Sequence, residues 1–394
     1  MSGGRIIPIH TSDRQLYKIC RRKWLWGSHL NRSLEPINQA APLWFGSAFH
    51  YALKDFHGFG TDMWESFQEY LHLSRTHYPR SLPSELPELV ELGKGMIEHY
   101  SNWLIRRDPL ETYVLNGVPQ VEVAFEITLP VDPILLAHLG AEKVVYRGTF
   151  DRISYDRQLE ALFIVEYKTA ARMEQAHLMM DPQVSAYMWA ASCIYDLPVA
   201  GVIYQQHAKR TPKPARILMN GSVSTAKNQA TTHKLYRAAL CEVYGSPQQS
   251  SNEHIEVLNA LGAKESPDRD DYIVRTRVAR NAHQIALEGH RLMIEVHEML
   301  NPNTPMYTHS GQHCGWCSFI SACTSLEDGG DWEHELNDPD TFKVRTRASS
   351  EWEIISHDGL GGVLHNANAR IQHDRAGSTY YNPSAPQYVT GADP

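Results

Sequence analysis

The sequence predicts an α/β fold, and three observations carry that prediction. Helical spacing fills residues 12–107, and the pattern then changes to alternating, strand-like sequence. Three strand patterns follow one another between residues 121 and 169. A helix that is apolar nearly all round, and so reads as buried, then leads into a fourth strand. The composition of the 394 residues, 42% hydrophobic and 21% charged, excludes a collagen, a coiled coil and a wholly disordered chain.

Taken in order, Ser12 and Asp13 cap a first helix running through Leu16, Ile19, Trp24 and Trp26. Further helices cover 43–59, 63–77 and 86–106. Residues 121–127 alternate apolar with small or acidic side chains, as a half-buried strand does, and 143–155 and 159–169 are the next two strands. Asp181 followed by Pro182 supplies an N-cap and a first-turn proline for a helix reaching about Tyr195, and 199–206 is a strand. Residues 207–270 read as an insertion with helices near 225–244 and 252–261. A strand near 271–277 and a helix over 278–300 precede a cysteine-rich loop, and the turn-rich tail from about Gly377 reads as disordered. The domain boundaries expected are 1–110 (helical), 111–206 (core), 207–270 (insertion), 271–330 (strand, helix and cysteines) and 331–394 (extension).

The net charge of −8 argues against a protein that coats nucleic acid indiscriminately, though a local basic groove or bound metal can still carry phosphate contacts. Basic clusters at 21–23, 209–216 and 275–280 read as solvated faces. No apolar run is long enough to span a bilayer, and residues 1–5 do not resemble a secretory signal. The expectation is a soluble, cytoplasmic protein with no membrane partner.

The central chemical signal is Gly148-Thr149-Phe150-Asp151 followed by Glu166-Tyr167-Lys168. Side chains two apart on a strand share a face, so Glu166 and Lys168 point the same way. A hairpin that sets Asp151 against Glu166 turns within the polar residues 156–160. Two carboxylates then converge beside one ammonium, a set of hard oxygen ligands suited to Mg²⁺ or Mn²⁺. The lysine is placed to orient an attacking water and stabilise phosphate charge. Gln183 and Tyr187 fall i, i+4 on one face of the next helix, and His50 lies in a helix opened by Gly46. Glu122 or Glu126 is a further candidate to line the cleft, though both read first as exposed strand acids.

These residues, taken in order, resemble the RecB-like branch of the PD-(D/E)XK nucleases. That family carries a helical His, a G-x-x-D strand, a (D/E)-x-K strand and a Q-x-x-x-Y helix. The resemblance implies a restriction-endonuclease-like core, a mixed sheet flanked by helices. It implies metal ligands at His50, Asp151, Glu166 and the Tyr167 backbone carbonyl, a catalytic Lys168, and supporting roles for Gln183 and Tyr187. It further implies a metal-dependent DNA exonuclease of recombination, repair or processing. The alternative is a non-catalytic DNA-binding scaffold on the same fold. No phosphate-binding G-x-x-x-x-G-K-[ST] loop is present, so any motor belongs to a partner helicase. Self-association is a further partner class that relatives suggest. Ser224, Lys227, Gln229 and Thr231-Thr232 in the insertion resemble stand-alone phage-encoded members, which would act in the host cytoplasm.

Cys314, Cys317 and Cys323 offer three thiolates and need a fourth ligand, with Cys20, Cys193, Cys241 and His313 as candidates. Cys193 and Cys241 read as small core residues. Cys20 resembles the leading cysteine of AddB-type and CRISPR-associated relatives, which implies a 4Fe–4S cluster clamping the two flanks of the core. Four thiolates also suit Zn²⁺, and spacing alone does not choose between them.

Overall fold

The sheet begins earlier than the sequence suggests. Ile7 and Ile9 are buried on a six-residue strand with a central proline, a signal too short to read by period and an arrangement that an edge position tolerates. The computed structural model describes residues 5–345, apart from Gln39, residues 78–81 and residues 108–109. Its main sheet has seven strands: β1 (Arg5–His10), β2 (Glu111–Thr112), β3 (Val121–Leu129), β4 (Ala141–Asp156), β5 (Ala161–Ala170), β6 (Val199–Ala208) and β7 (Ile273–Val278). The order is β1-β4-β5-β6-β7, with β2 and β3 on the other side of β4. Strands β1–β4 and β5–β6 pair in parallel, the remaining neighbours antiparallel, so the sheet is mixed.

The 16-residue β4 is shared. Its first half runs beside β1 and its second half beside β5, with β3 along the opposite edge of both. The β4–β5 hairpin pairs Arg152 with Val165 and Asp156 with Ala161, the register that sets Asp151 against Glu166.

The described helices are α1 (Thr11–Ile19), α2 (Arg21–Gly27), α3 (Ala41–Phe59), α4 (Met63–His77), α5 (Leu86–Arg107), α6 (Pro133–Leu139), α7 (Pro182–Ile194), α8 (His233–Tyr244), α9 (Asn252–Gly262), α10 (Ala282–Leu300), α11 (Ile320–Glu327) and α12 (Trp332–Asn337). Helices α7 and α10 cover one face of the sheet, where Tyr146, Phe150 and Ile164 pack with Met188 and Val296. Helices α3, α4 and α5 cover the other, where Phe45, Phe67 and Tyr100 pack with Val165 and Ile203. Asp181 caps α7 as its sequence predicts, accepting from the Gln183 and Val184 N–H groups. Among the described residues no helix is long and apolar enough to cross a membrane.

Four details correct the sequence reading. The first helix is two, broken at Cys20, whose backbone is extended. Asp13 is buried in the first turn of α1 and accepts from the His10 N–H and the Ser28 hydroxyl, so it fixes the chain entering the helix instead of preceding it. Gly46 lies inside α3, which starts at Ala41 with Pro42 in its first turn. Residues 225–232 are not helical. The Gln229 amide binds the carbonyls of Ser224 and Ala226 there, and Thr232 caps α8 through the Leu235 N–H.

The insertion carries its own small core of Val223, Tyr236, Leu240, Val257 and Leu261. Residues 342–344 pair antiparallel with 34–36, so the start of the extension returns to the N-terminal region. The tail read as disordered lies outside the described residues.

Helix α1 is fixed to α10 by charge as well as packing. Arg14 is buried and meets Glu288 at 2.7 Å and Glu295 at 2.6 Å. Lys18 pairs with Glu295, and the Tyr17 hydroxyl donates to Glu298.

Gly148 is required by close approach: a Cβ there would sit 2.5 Å from the Phe125 ring and 2.8 Å from the Thr11 hydroxyl. Gly148→Ala is expected to lower stability by about 1–3 kcal/mol through overpacking. Gly46→Ala, whose Cβ would meet nothing nearer than 3.9 Å, is expected to raise it by about 0.5–1 kcal/mol inside a helix. Thermal denaturation of the two variants checks the opposite signs.

Candidate active site

Four elements deliver the acidic cluster. Helix α3 presents His50, β3 presents Glu122, β4 presents Asp151, and β5 presents Glu166 and Lys168. His50 Nδ1 lies 3.5 Å from Asp151 Oδ1 and 3.6 Å from Glu122 Oε1. One ligand atom each from His50, Glu122 and Asp151 falls within 4.8 Å of the others, a group that could hold a metal ion. Asp151 is fixed from behind, its Oδ2 accepting the Tyr167 N–H at 2.7 Å.

Glu122 is the residue that the alternating pattern mislabels as exposed. Its φ is +46°, and the β3–β4 register passes from Val121–Arg152 to Val123–Phe150 without it. Its side chain is only 9% exposed at the cleft. A left-handed backbone at a non-glycine residue costs on the order of 1–3 kcal/mol and is characteristic of functional sites. The sequence offered Glu122 and Glu126 equally as cleft acids, and the backbone at Glu122 is what separates them. Glu126, two positions of alternation later, does pair outward with Arg147 and Lys143.

Glu166 stands beside this trio. Its Oε1 accepts from Lys168 Nζ and from the Gln183 amide, while its buried Oε2 has no hydrogen-bond partner. Lys168 and Glu166 share a face, as the strand period requires. Tyr167 points to the opposite face, where its ring stacks on His57 and its hydroxyl accepts from Arg152. Gln183 also accepts from Gln15 on α1. Tyr187 is buried deeper, with Phe125 and Phe150 edge-on to its ring.

Burying so many carboxylates together sets their protonation. Burial alone would push the His50 imidazole down, but Asp151 and Glu122 raise it to about 10. Burial and the Asp151 charge push Glu166 up to about 7 against the pull of Lys168. Glu122 rises to about 7 through burial and Asp151, against the hydrogen bond from His50. Burial pushes Asp151 upward too, yet His50, Lys168 and the Tyr167 N–H outweigh it and hold the carboxyl below its ordinary range. Beside Glu166 and Asp151, the Lys168 ammonium is raised despite its burial.

The cysteines form a second constellation. Cys20, Cys314, Cys317 and Cys323 line one cavity, together with Lys23, Trp26 and His313. The break between α1 and α2 is what turns Cys20 toward it, and the His309 N–H approaches Cys20 Sγ at 3.5 Å. The His313 Nε2 is buried there without a partner. Cys193 is half-buried against the main core, whereas Cys241 is exposed, contrary to the core position expected for it. Buried Leu240 precedes it, and one residue along a helix turns the side chain away from the packed face.

The model of the PD-(D/E)XK nuclease superfamily matches residues 11–324, well over half of the chain. No curated protein sequence matches it. The mixed sheet flanked by helices is the restriction-endonuclease-like architecture expected of that superfamily.

Metal binding at the acidic cluster should release protons. A ligating imidazole must be neutral and a ligating carboxylate ionised, whereas at pH 7 His50 is protonated and Glu122 and Glu166 are partly so. Raised pKa values mean that falling pH returns these protons, so Mn²⁺ affinity should weaken steadily from pH 8 to pH 6. Calorimetry in two buffers of different ionisation enthalpy should give different heats, the difference counting the protons released. Identical heats in both buffers would contradict this.

Proposed function

We propose that this chain, which belongs to the PD-(D/E)XK nuclease superfamily, hydrolyses DNA phosphodiesters with Mg²⁺ or Mn²⁺ held by His50, Glu122, Asp151 and Glu166. The observation that carries the reading is the convergence of three of these ligand atoms within 4.8 Å, next to a buried Glu166 oxygen with no partner. That orphan oxygen fits a cation, because a buried carboxylate oxygen left without one is costly. The donor set, three carboxylates and one imidazole, accepts Mg²⁺ and suits Mn²⁺ better through its nitrogen. The backbone carbonyl of Tyr167 is a further candidate ligand.

The bound ion would supply a water of lowered pKa and charge to polarise the phosphoryl oxygen. The chain's own groups do the rest. Lys168 brings an ammonium, partly open to solvent, to the carboxylates, where it can orient the attacking water and offset charge growing on the phosphate. Gln183 donates to Glu166 Oε1, which would leave the unpartnered Oε2 available to the ion. Tyr187, packed edge-on against Phe125 and Phe150 one turn after Gln183, would support that side chain.

The exonuclease assignment and a place in recombination, repair or DNA processing rest on the resemblance to the RecB-like branch. The phage relation, cytoplasmic location, and helicase or self-association partners rest on it as well. We infer a division into the five segments 1–110, 111–206, 207–270, 271–330 and 331–394, and the separate core of the insertion supports its third segment.

For the cysteine cavity we infer a 4Fe–4S cluster bound by Cys20, Cys314, Cys317 and Cys323. Cys20 and three thiols from a segment some three quarters of the chain away line the cavity together. The cluster's role would be structural, tying α2 to α11.

Asp151→Ala and Lys168→Ala should each reduce Mn²⁺-dependent release of nucleotides from end-labelled linear DNA by about 10²–10³ or more, with unchanged circular dichroism. Closed circular DNA should resist if the enzyme acts from ends. Full activity in Lys168→Ala would refute the assignment, and metal-dependent binding without any cleavage would return the scaffold reading.

Anaerobically purified protein should be brown with about four irons per chain. Cys20→Ser should lose the colour and Cys241→Ser keep it. A colourless protein with one zinc would overturn the iron assignment. Loss in His313→Ala but not in Cys20→Ser would move the fourth ligand to His313.

A further inference from the structure

Between β5 and α7 the chain makes a short 3₁₀ turn, Ala176–Met180. Its centre is anchored. Leu178 is buried, and its carbonyl accepts from the Arg280 guanidinium at 2.8 Å, while Arg280 also donates to Ser185 on α7. The next residues, Met179 and Met180, are 67% and 79% exposed. Just before them, His177 sits edge-on to Tyr204 at 6.1 Å, and Tyr204 is the register partner of Glu166 on the neighbouring strand. Two large apolar side chains are therefore exposed on a pinned turn, two and three residues after a histidine whose ring meets the neighbour of the Glu166 position.

Single exposed apolar residues are ordinary, but an adjacent pair on a pinned turn beside a reactive cleft invites a contact. Among the described residues the other run of adjacent exposed large apolar side chains, Ile217, Leu218 and Met219, lies in the insertion. When a phosphodiester occupies the cleft, its attached nucleoside must pass the rim. A base offers a flat π-face, against which a polarisable thioether packs well, and apolar side chains act as wedges between base steps in other protein–DNA contacts.

We propose that Met179 and Met180 form a wedge that packs against the base next to the scissile phosphate and unstacks the terminal pair of a duplex. The wedge makes duplex ends substrates by fraying them, and it leaves single strands largely indifferent to its loss. This inference rests on the nuclease reading above.

The test uses the full chain and a blunt DNA duplex carrying 2-aminopurine at its terminal position. Binding to the Lys168→Ala protein should raise the 2-aminopurine fluorescence, and adding Met179→Ser and Met180→Ser should abolish the rise. In the otherwise unaltered enzyme, the two methionine changes should slow duplex cleavage by about tenfold and cleavage of the same single strand by less than about twofold. A fluorescence rise that survives both changes, or an equal loss on both substrates, overturns the wedge. If the unaltered protein cuts neither substrate, the nuclease reading fails. The fluorescence then decides the wedge by itself: a methionine-dependent rise supports it, and no rise overturns it.

Discussion

Three carboxylates buried in one cleft are the constraint around which this structure is arranged. Glu122, Asp151 and Glu166 cannot all ionise side by side without cations, because burial and mutual repulsion penalise the charged forms. The fold answers with His50 from one face of the sheet and Lys168 from the other. Even so, Glu122 and Glu166 are pushed up toward neutrality, and one Glu166 oxygen has no partner. A divalent cation bound there would relieve this imbalance by placing positive charge among the carboxylates.

The surrounding architecture serves to hold strands of different origin at that point. Strand β4 does most of this, running between β1 and β3 in its first half and between β3 and β5 in its second. Gly148 allows Phe125 and Thr11 to close over it just before Asp151. The flanks are tied twice. Buried Arg14 locks α1 onto α10 through Glu288 and Glu295, and the four-cysteine cavity joins the α1–α2 break to the C-terminal loop. The ion-pair tie leaves α1 anchored independently of the thiols, so loss of the cysteine site should affect the C-terminal segments first.

Much of the site is legible in the sequence because strand and helix periods fix side-chain direction locally. Lys168 and Glu166 share a face, and Asp181 caps the helix that carries Gln183. Asp151 falls opposite Glu166 because a short polar turn joins adjacent strands, leaving little freedom of register. The same local logic fails where backbone geometry departs from its period. Glu122 enters the cleft through a positive φ that alternation does not encode, and the helix break at Cys20 interrupts an otherwise helical pattern.

The sequence by itself determined the order of strands β3 to β7 with helices α7 and α10 among them, the hairpin register, the carboxylate–lysine pair and the grouping of three cysteines, all set by interactions over a few residues. Only the tertiary structure decided that β1 completes the sheet, that Glu122 joins His50 and Asp151, and that Cys20 meets its three distant counterparts. Those contacts join residues tens to hundreds of positions apart. Their geometry depends on sheet pairing, helix packing and buried charge, none of which leaves a periodic trace along the chain.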